Sequence, residues 1–238
     1  MPYTGICKAC HKPMTGGYSV GDSLYCSVEC YRPAQLAHEA ALRKDFWQQC
    51  PAYYSNGVDM AKAKRPDHLE YVRKWKPDER TGLILIGESG LGKTWSEYAL
   101  AAELAAQEIT CEIWRGRDFG KEAIKRIWLT DDEHLDKWVE HLCGDLGVLM
   151  LDDVDKMGLT DVPVGTLFDV ADRRGKDEMP LIISLNTHGS VFAAAMDAKQ
   201  KNGMKIGDAI IRRFRDSCYT VNFDEPDISR AIAPPGTN

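Results

Sequence analysis

What this sequence lacks narrows it first. Its 238 residues contain no apolar run near the roughly 20 residues needed to cross a bilayer, and nothing near Met1 has the pattern of a secretory signal. These absences argue against a membrane protein and an exported one, and make the cytoplasm the expected compartment. Positive charge is in deficit: 30 Lys and Arg against 36 Asp and Glu leave a formal net charge of −6. That excludes a polyanion binder held by bulk charge, so any nucleic-acid contact has to come from local patches. There is no internal repeat and no low-complexity tract, which excludes a repeat array. With no export signal, the eight cysteines are not expected to form a disulfide scaffold. Cys50, Cys111, Cys143 and Cys218 are scattered and read as small packed residues, whereas Cys7, Cys10, Cys26 and Cys30 cluster and suggest a metal.

What is present divides the chain into parts. Residues 1–34 are rich in Cys, Gly and Tyr and form the expected metal-binding finger. Residues 35–80 read as a helical connector, with Leu36, Ala40, Phe46 and Trp47 at helical spacing and a short helix expected over 67–75. Residues 81–232 alternate strand-like and helix-like segments, which implies an α/β domain with a parallel sheet flanked by helices. The strands are "GLILIG", "ITCEIW", "GVLMLDD", "PLIISLN" and "YTVNF". The expected helices are "KTWSEYALAAELAAQE", "DEHLDKWVEHLC", "VPVGTLFDVADRR" and "GDAIIRRFRDSC". Residues 233–238 read as a disordered tail.

Between the first strand and the first helix of that domain lies "GESGLGKTW". Gly87, Gly92, Lys93 and Thr94 fill the pattern G-x-x-x-x-G-K-T in the strand–loop–helix setting it requires. The glycines let the backbone wrap tightly, so that N–H groups of Gly87, Glu88, Ser89, Gly90, Leu91, Gly92, Lys93, Thr94 and Trp95 can face phosphate oxygens at a helix N-terminus. Lys93 supplies positive charge to the β- and γ-phosphates, and the Thr94 hydroxyl is the expected Mg²⁺ ligand. "VLMLDD" runs four apolar residues deep and ends on Asp152 and Asp153 at the carboxyl edge of the sheet, where such sheets bind ligands. Asp152 is placed to hold Mg²⁺, and Asp153 to orient and deprotonate an attacking water. Asn186 follows the strand "PLIISL" and can position that water, although a turn-forming Asn gives the same pattern. Arg212, Arg213 and Arg215 lie on the last helix. Arg213 is the choice for a residue that stabilises transition-state charge in a neighbouring subunit, against the plainer reading of a solvated basic face.

These elements, in this order, resemble an AAA+ ATPase. More narrowly, residues 50–230 resemble the DnaC/DnaI-type helicase loaders and the IstB-type transposition ATPases. The resemblance is carried by "CPAYY", "RKWKP", "GESGLGKTW", "LMLDDVDKM", "LFDVADRRGKDEMPLIISLN" and "IIRRFRDSCYTVNF". It implies that the Asn186 strand lies between the P-loop strand and the Asp152 strand, that ATP sites are shared between self-associating subunits, and that Lys93, Thr94, Asp152, Asp153, Asn186 and Arg213 take the roles above. The chain ends soon after Arg230, so no C-terminal lid domain is expected, and weak intrinsic ATP hydrolysis would follow.

In the finger, Cys7-x-x-Cys10 and Cys26-x-x-x-Cys30 give two thiolate pairs that suit a closed tetrahedral Zn²⁺ site. Iron–sulfur ligation uses the same residues, and His11 or His38 could replace a cysteine. A hairpin with Gly16–Gly17 and Gly21–Asp22 as turn candidates, then a helix capped by Ser27, make the segment resemble a treble-clef zinc finger. Such a segment buries too little to hold itself, so metal supplies its folding energy. A closed site offers no open position for catalysis and points to recognition.

The resemblance implies two jobs. One is an ATP-dependent loader that grips the replicative hexameric helicase through the zinc module and holds single-stranded DNA. The other is a transposition helper on duplex DNA. The zinc module favours the loader. Basic stretches at Lys62, Lys64 and Arg65, at Arg73, Lys74 and Lys76, and at Lys199, Lys201 and Lys205 offer phosphate contacts. Trp75 and Phe192 are candidates for base stacking, with core packing the plainer reading. A small-molecule kinase would need an acceptor pocket in place of the acid pair and Asn186. A nucleotide-gated adaptor without turnover would use Lys93 but not Asp153.

Overall fold

The computed structural model describes residues 4–57, 59–77, 82–128, 134–200 and 205–236. The chain divides into two compact units, Met1–Gly57 with Ala102–Glu108, and Val58–Ala101 with Ile109–Asn238.

The smaller unit opens with β1 (Thr4–Ile6), β2 (Pro13–Thr15), β3 (Tyr18–Val20) and β4 (Ser23–Tyr25), followed by α1 (Val28–Gln49). β1 pairs antiparallel with β2, and β3 with β4. Gly21–Asp22 is therefore a hairpin turn as expected. Gly16–Gly17 instead joins β2 to β3, which pair with other strands; the β1–β2 hairpin encloses Cys7 and Cys10, whereas Cys26 and Cys30 follow β4 at the start of α1. Ser27 caps α1, its hydroxyl accepting from the Cys30 N–H at 3.4 Å. The apolar core here is small: Cys7, Met14 and Tyr25 are buried, packed by Val20, Leu24, Tyr31 and Ala34.

The larger unit opens with α2 (Pro66–Arg73), close to the helix expected over 67–75. Then come β5 (Gly82–Ile86), α3 (Lys93–Ala106), β6 (Cys111–Arg115), α4 (Gly116–Ile127), α5 (Leu135–Gly144), β7 (Val148–Asp152), α6 (Asp161–Lys176), β8 (Leu181–Leu185), α7 (Gly189–Lys199), α8 (Gly207–Ser217), β9 (Cys218–Asn222), α9 (Ile228–Ala231) and β10 (Ile232–Ala233). The sheet order is β10-β9-β5-β8-β7-β6, parallel from β9 to β6, with β10 added antiparallel at the edge. β8, the Asn186 strand, lies between the P-loop strand β5 and the acidic strand β7, as the resemblance implies. β7 and β8 are buried at every residue, which their unbroken apolar runs require of strands covered on both faces. Among the described residues no helix is long and apolar enough to cross a membrane.

Three helices went unforeseen: α4, α7 and the four-residue α9. α4 begins "GRDFG", where glycines lower helix propensity, yet it buries Phe119 and Ala123 on one side. α7 buries Phe192, Ala193 and Met196 from an alanine-rich segment with little amphipathic contrast. The segment read as a tail also differs. Ala233 pairs with Thr220, and the Gly236 N–H donates to the Arg215 carbonyl at 2.8 Å, so the backbone returns to β9 and α8. Residues 237 and 238 lie outside the described residues.

Arg174 of α6 is almost fully buried and, among the described residues, has no carboxylate partner. Its guanidinium donates to the carbonyls of Leu142, Leu146, Gly147 and Pro180, tying the end of α5 and the entries to β7 and β8 together.

Candidate nucleotide and metal sites

β5 delivers the chain to Gly87, whose φ is +146°. A Cβ there would lie 2.9 Å from Phe223 Cβ, so both backbone angle and space demand glycine. Gly92, at φ +109°, completes the turn into α3. Lys93 therefore stands at the N-terminus of α3 with its side chain folded back into the loop. Its ammonium donates to the Gly87 carbonyl at 2.5 Å, the Glu88 carbonyl at 3.0 Å and Asn186 Oδ1 at 3.0 Å. Burial pulls the Lys93 pKa below its usual value, opposed by the carboxylates of Asp153 and Asp155. The Glu88 N–H is engaged by Asp224 Oδ1 at 2.8 Å.

Asp152 ends β7 in a nearly closed position. Its Oδ1 accepts from Thr94 Oγ1 at 2.8 Å and from Ser184 Oγ at 2.9 Å. The Ser184 hydroxyl also accepts the Asp153 N–H at 2.8 Å. Asp153 takes a left-handed φ of +52°, which turns its side chain out of the strand line. Its carboxylate accepts from Asn186 Nδ2 at 2.7 Å and Lys156 Nζ at 2.6 Å. Asp155 accepts both the Asn186 N–H and its Nδ2 at 3.2 Å. Lys93, Thr94, Asp152, Asp153 and Asn186 thus meet in one hydrogen-bonded group. Sequence reasoning missed Ser184, Asp155 and Lys156. The one available signal was a polar serine in the apolar run "LIISL".

One further acid lies against this group. Glu97, one turn of α3 beyond Thr94, is fully buried, and among the described residues neither carboxyl oxygen has a hydrogen-bond partner. Burial, and then the neighbouring Asp152 carboxylate, push its pKa well above the usual carboxylate range. The hydroxyl of Thr94 and the carboxylate of Asp152 are hard oxygen donors and fit Mg²⁺.

Arg213 of α8 is engaged within its own chain. It donates from Nε to Asp172 Oδ1 at 2.7 Å, and its guanidinium lies 4.3 Å from the centre of the Phe168 ring. Arg212 and Arg215 on the same helix are exposed.

In the finger, the Sγ atoms of Cys7, Cys10, Cys26 and Cys30 all lie within 4.8 Å of one another. This all-sulfur set fits Zn²⁺. The Cys10 backbone N–H, the largest influence, lowers the Cys7 pKa to about 6, while the Cys10 thiol raises that of Cys26 to about 12. Four thiols this close cannot all ionise without a cation among them.

The candidate nucleic-acid residues fare unevenly. Trp75 and Phe192 are buried, as the packing reading has it. Lys62 pairs with Asp59, Arg73 and Lys74 pair with Glu70, and Arg65 Nε donates to the Phe223 carbonyl at 2.9 Å. Lys76, Lys199 and Lys205 are exposed, and Lys201 lies outside the described residues. Lys64 brings its ammonium beside Gly90 of the P-loop. Trp128, which the sequence did not single out, is 80% exposed at the end of α4, near the exposed Ile124, Ile127, Lys121 and Lys125.

No protein-family model matches this sequence, and no curated protein matches it. Its fold is similar to solved structures of replication proteins. The DnaC helicase loader superposes with a TM-score of 0.53 at 17% identity, over 75% of this chain and 98% of that one. DnaI superposes at 0.52 and 21% identity, over 72% and 87%. The replication initiator DnaA bound to AMPPCP and single-stranded DNA superposes at 0.51 and 14% identity. The chain spans 46% of the length of that initiator, and 68% of this chain is matched. The fold is thus similar to that of these helicase-loader and DnaA structures, and the N-terminal unit carries a four-cysteine cluster.

Proposed function

We propose that this protein is an ATPase that loads a replicative hexameric helicase onto single-stranded DNA. The observation that carries the nucleotide chemistry is the continuous chain Lys93–Asn186–Asp153, joined through Ser184 to Asp152 and Thr94. Lys93 is drawn from the loop carbonyls onto the β- and γ-phosphate oxygens, where its charge opposes the charge that develops as the γ-phosphoryl group leaves. Once Lys93 leaves, Asn186 Oδ1 is free to accept a hydrogen bond from the attacking water, while Nδ2 keeps Asp153. Asp153 then accepts the proton of the attacking water, and Lys156 balances the charge of the carboxylate at rest. Thr94 and Asp152 would hold Mg²⁺, which would supply positive charge to neutralise the phosphates.

Arg213 is the proposed finger for the ATP of an adjacent subunit, and self-association would draw it away from Asp172. With Arg213 held in its own chain, an isolated subunit hydrolyses ATP slowly. The zinc module and α1 are the proposed grip on the helicase. For the strand, the exposed Trp128 with Lys121 and Lys125 offers a stacking face beside positive charge, in place of the buried Trp75 and Phe192.

The test is affinity capture with Asp153→Asn, which keeps nucleotide binding and blocks hydrolysis, in the presence of MgATP. Recovery of a hexameric helicase supports the loader. Recovery of a transposase, with protection of duplex rather than single-stranded DNA, would replace it with the transposition reading.

A further inference from the structure

We propose that Glu97 is a second carboxylate of the divalent-cation site, so that this protein can hold the cation before a nucleotide arrives. The inference rests on the nucleotide-site reading of Thr94 and Asp152 and assigns a ligand which that reading does not include.

Thr94 and Glu97 are three residues apart on α3 and share one face of the helix. That face meets the ends of β7 and β8, where Asp152 and Ser184 lie. Glu97 is 0% exposed, and among the described residues both its carboxyl oxygens lack a hydrogen-bond partner. Ser184 lies near enough to ease the carboxyl slightly, but Thr94 Oγ1 and Ser184 Oγ both donate to Asp152. The Lys93 ammonium is committed to Gly87, Glu88 and Asn186. A carboxyl sealed from water without a donor is costly, and helix packing alone would be met by an apolar side chain. Ala99, Leu100, Ala101 and Ala102 on the same helix are buried apolar residues.

A hard cation resolves this. Two carboxylates and two hydroxyls form an all-oxygen donor set of the kind Mg²⁺ and Mn²⁺ take. A site with one carboxylate leaves a divalent ion half-compensated, so the ion arrives with phosphate oxygens. A second carboxylate completes the charge within the protein, which allows binding without nucleotide. Pre-bound cation would also part Thr94 and Ser184 from Asp152 and prepare the site for phosphate.

The experiment titrates Mn²⁺ into the zinc-loaded, nucleotide-free full chain and reads free Mn²⁺ by electron paramagnetic resonance. Wild type is expected to bind one ion, with Mg²⁺ competing. Glu97→Gln is expected to weaken binding at least tenfold, and Asp152→Asn to weaken it as much. In parallel, Mg²⁺ without nucleotide should raise the thermal midpoint of wild type, a measurement that needs no variant to fold. Equal Mn²⁺ affinity in wild type and Glu97→Gln, or no binding and no thermal shift in wild type, would overturn the proposal. A fluorescent ATP analogue separates the two ideas. Normal nucleotide binding with unchanged Mn²⁺ affinity in Glu97→Gln sinks only the second carboxylate. Absent nucleotide binding with Glu97-dependent Mn²⁺ binding sinks the nucleotide reading and leaves the cation site standing.

Discussion

Asn186 illustrates what a single residue does here and what sequence could say about it. Its place after an apolar strand marked it as a water-positioning amide, and the structure puts its Oδ1 on Lys93 and its Nδ2 on Asp153. What fixes the amide in that orientation is Asp155, which accepts its backbone N–H and its Nδ2. Asp155→Ala is therefore expected to lower steady-state phosphate release about tenfold, on the order of the 1.4 kcal/mol of one lost orienting interaction, while nucleotide affinity changes less than twofold. Phosphate release and a fluorescent-nucleotide titration check both halves, and equal losses in the two would show that Asp155 supports the fold alone. Lys93, Thr94, Asp152 and Asp153 were legible because local spacing places them. Asp155, Lys156, Ser184 and Glu97 were not. Their roles depend on the lateral packing of β7, β8 and α3, which no spacing along one segment reveals.

Among the elements, the strands were the most legible, since β7 and β8 are unbroken apolar runs of the length a buried strand needs. The helix α4 was hidden by its glycines, which lower helix propensity although its apolar face is one-sided, and α7 by alanines that pack well but leave weak periodicity. The finger was readable from its cysteines, although its two hairpins split differently around Gly16–Gly17. Its buried core of Cys7, Met14 and Tyr25 is small, and metal binding by the four cysteines is the proposed contribution to ordering the segment. Stripping metal with a chelator is expected to raise amide exchange across residues 4–34 and abolish helicase capture, while ATP-analogue affinity stays unchanged. Loss of nucleotide binding in the same experiment would mean that the cysteine cluster supports the larger unit as well.

For the whole molecule, the order β9-β5-β8-β7-β6 brings the P-loop, Asn186 and both acids to one edge of the sheet. That order was implied by resemblance and not by strand patterns, because pairing between distant strands leaves no trace in local periodicity. Arg213 is engaged apart from the group at that edge: it is paired with Asp172 and stacked on Phe168. The account therefore places full activity at the level of an assembly. The basic stretches were the least reliable signal. Charges close in sequence turned out to be shared among Asp59, Glu70 and the Phe223 carbonyl, and the exposed Trp128 stood outside them.

The most direct test is steady-state phosphate release from MgATP over a hundredfold range of protein concentration, with sedimentation recorded alongside. The account predicts release by wild type, a rate per subunit that climbs as MgATP drives self-association, and none from Asp153→Asn. A wild type that binds ATP yet releases no phosphate at any concentration, or releases it at one rate per subunit as a monomer throughout, would contradict it.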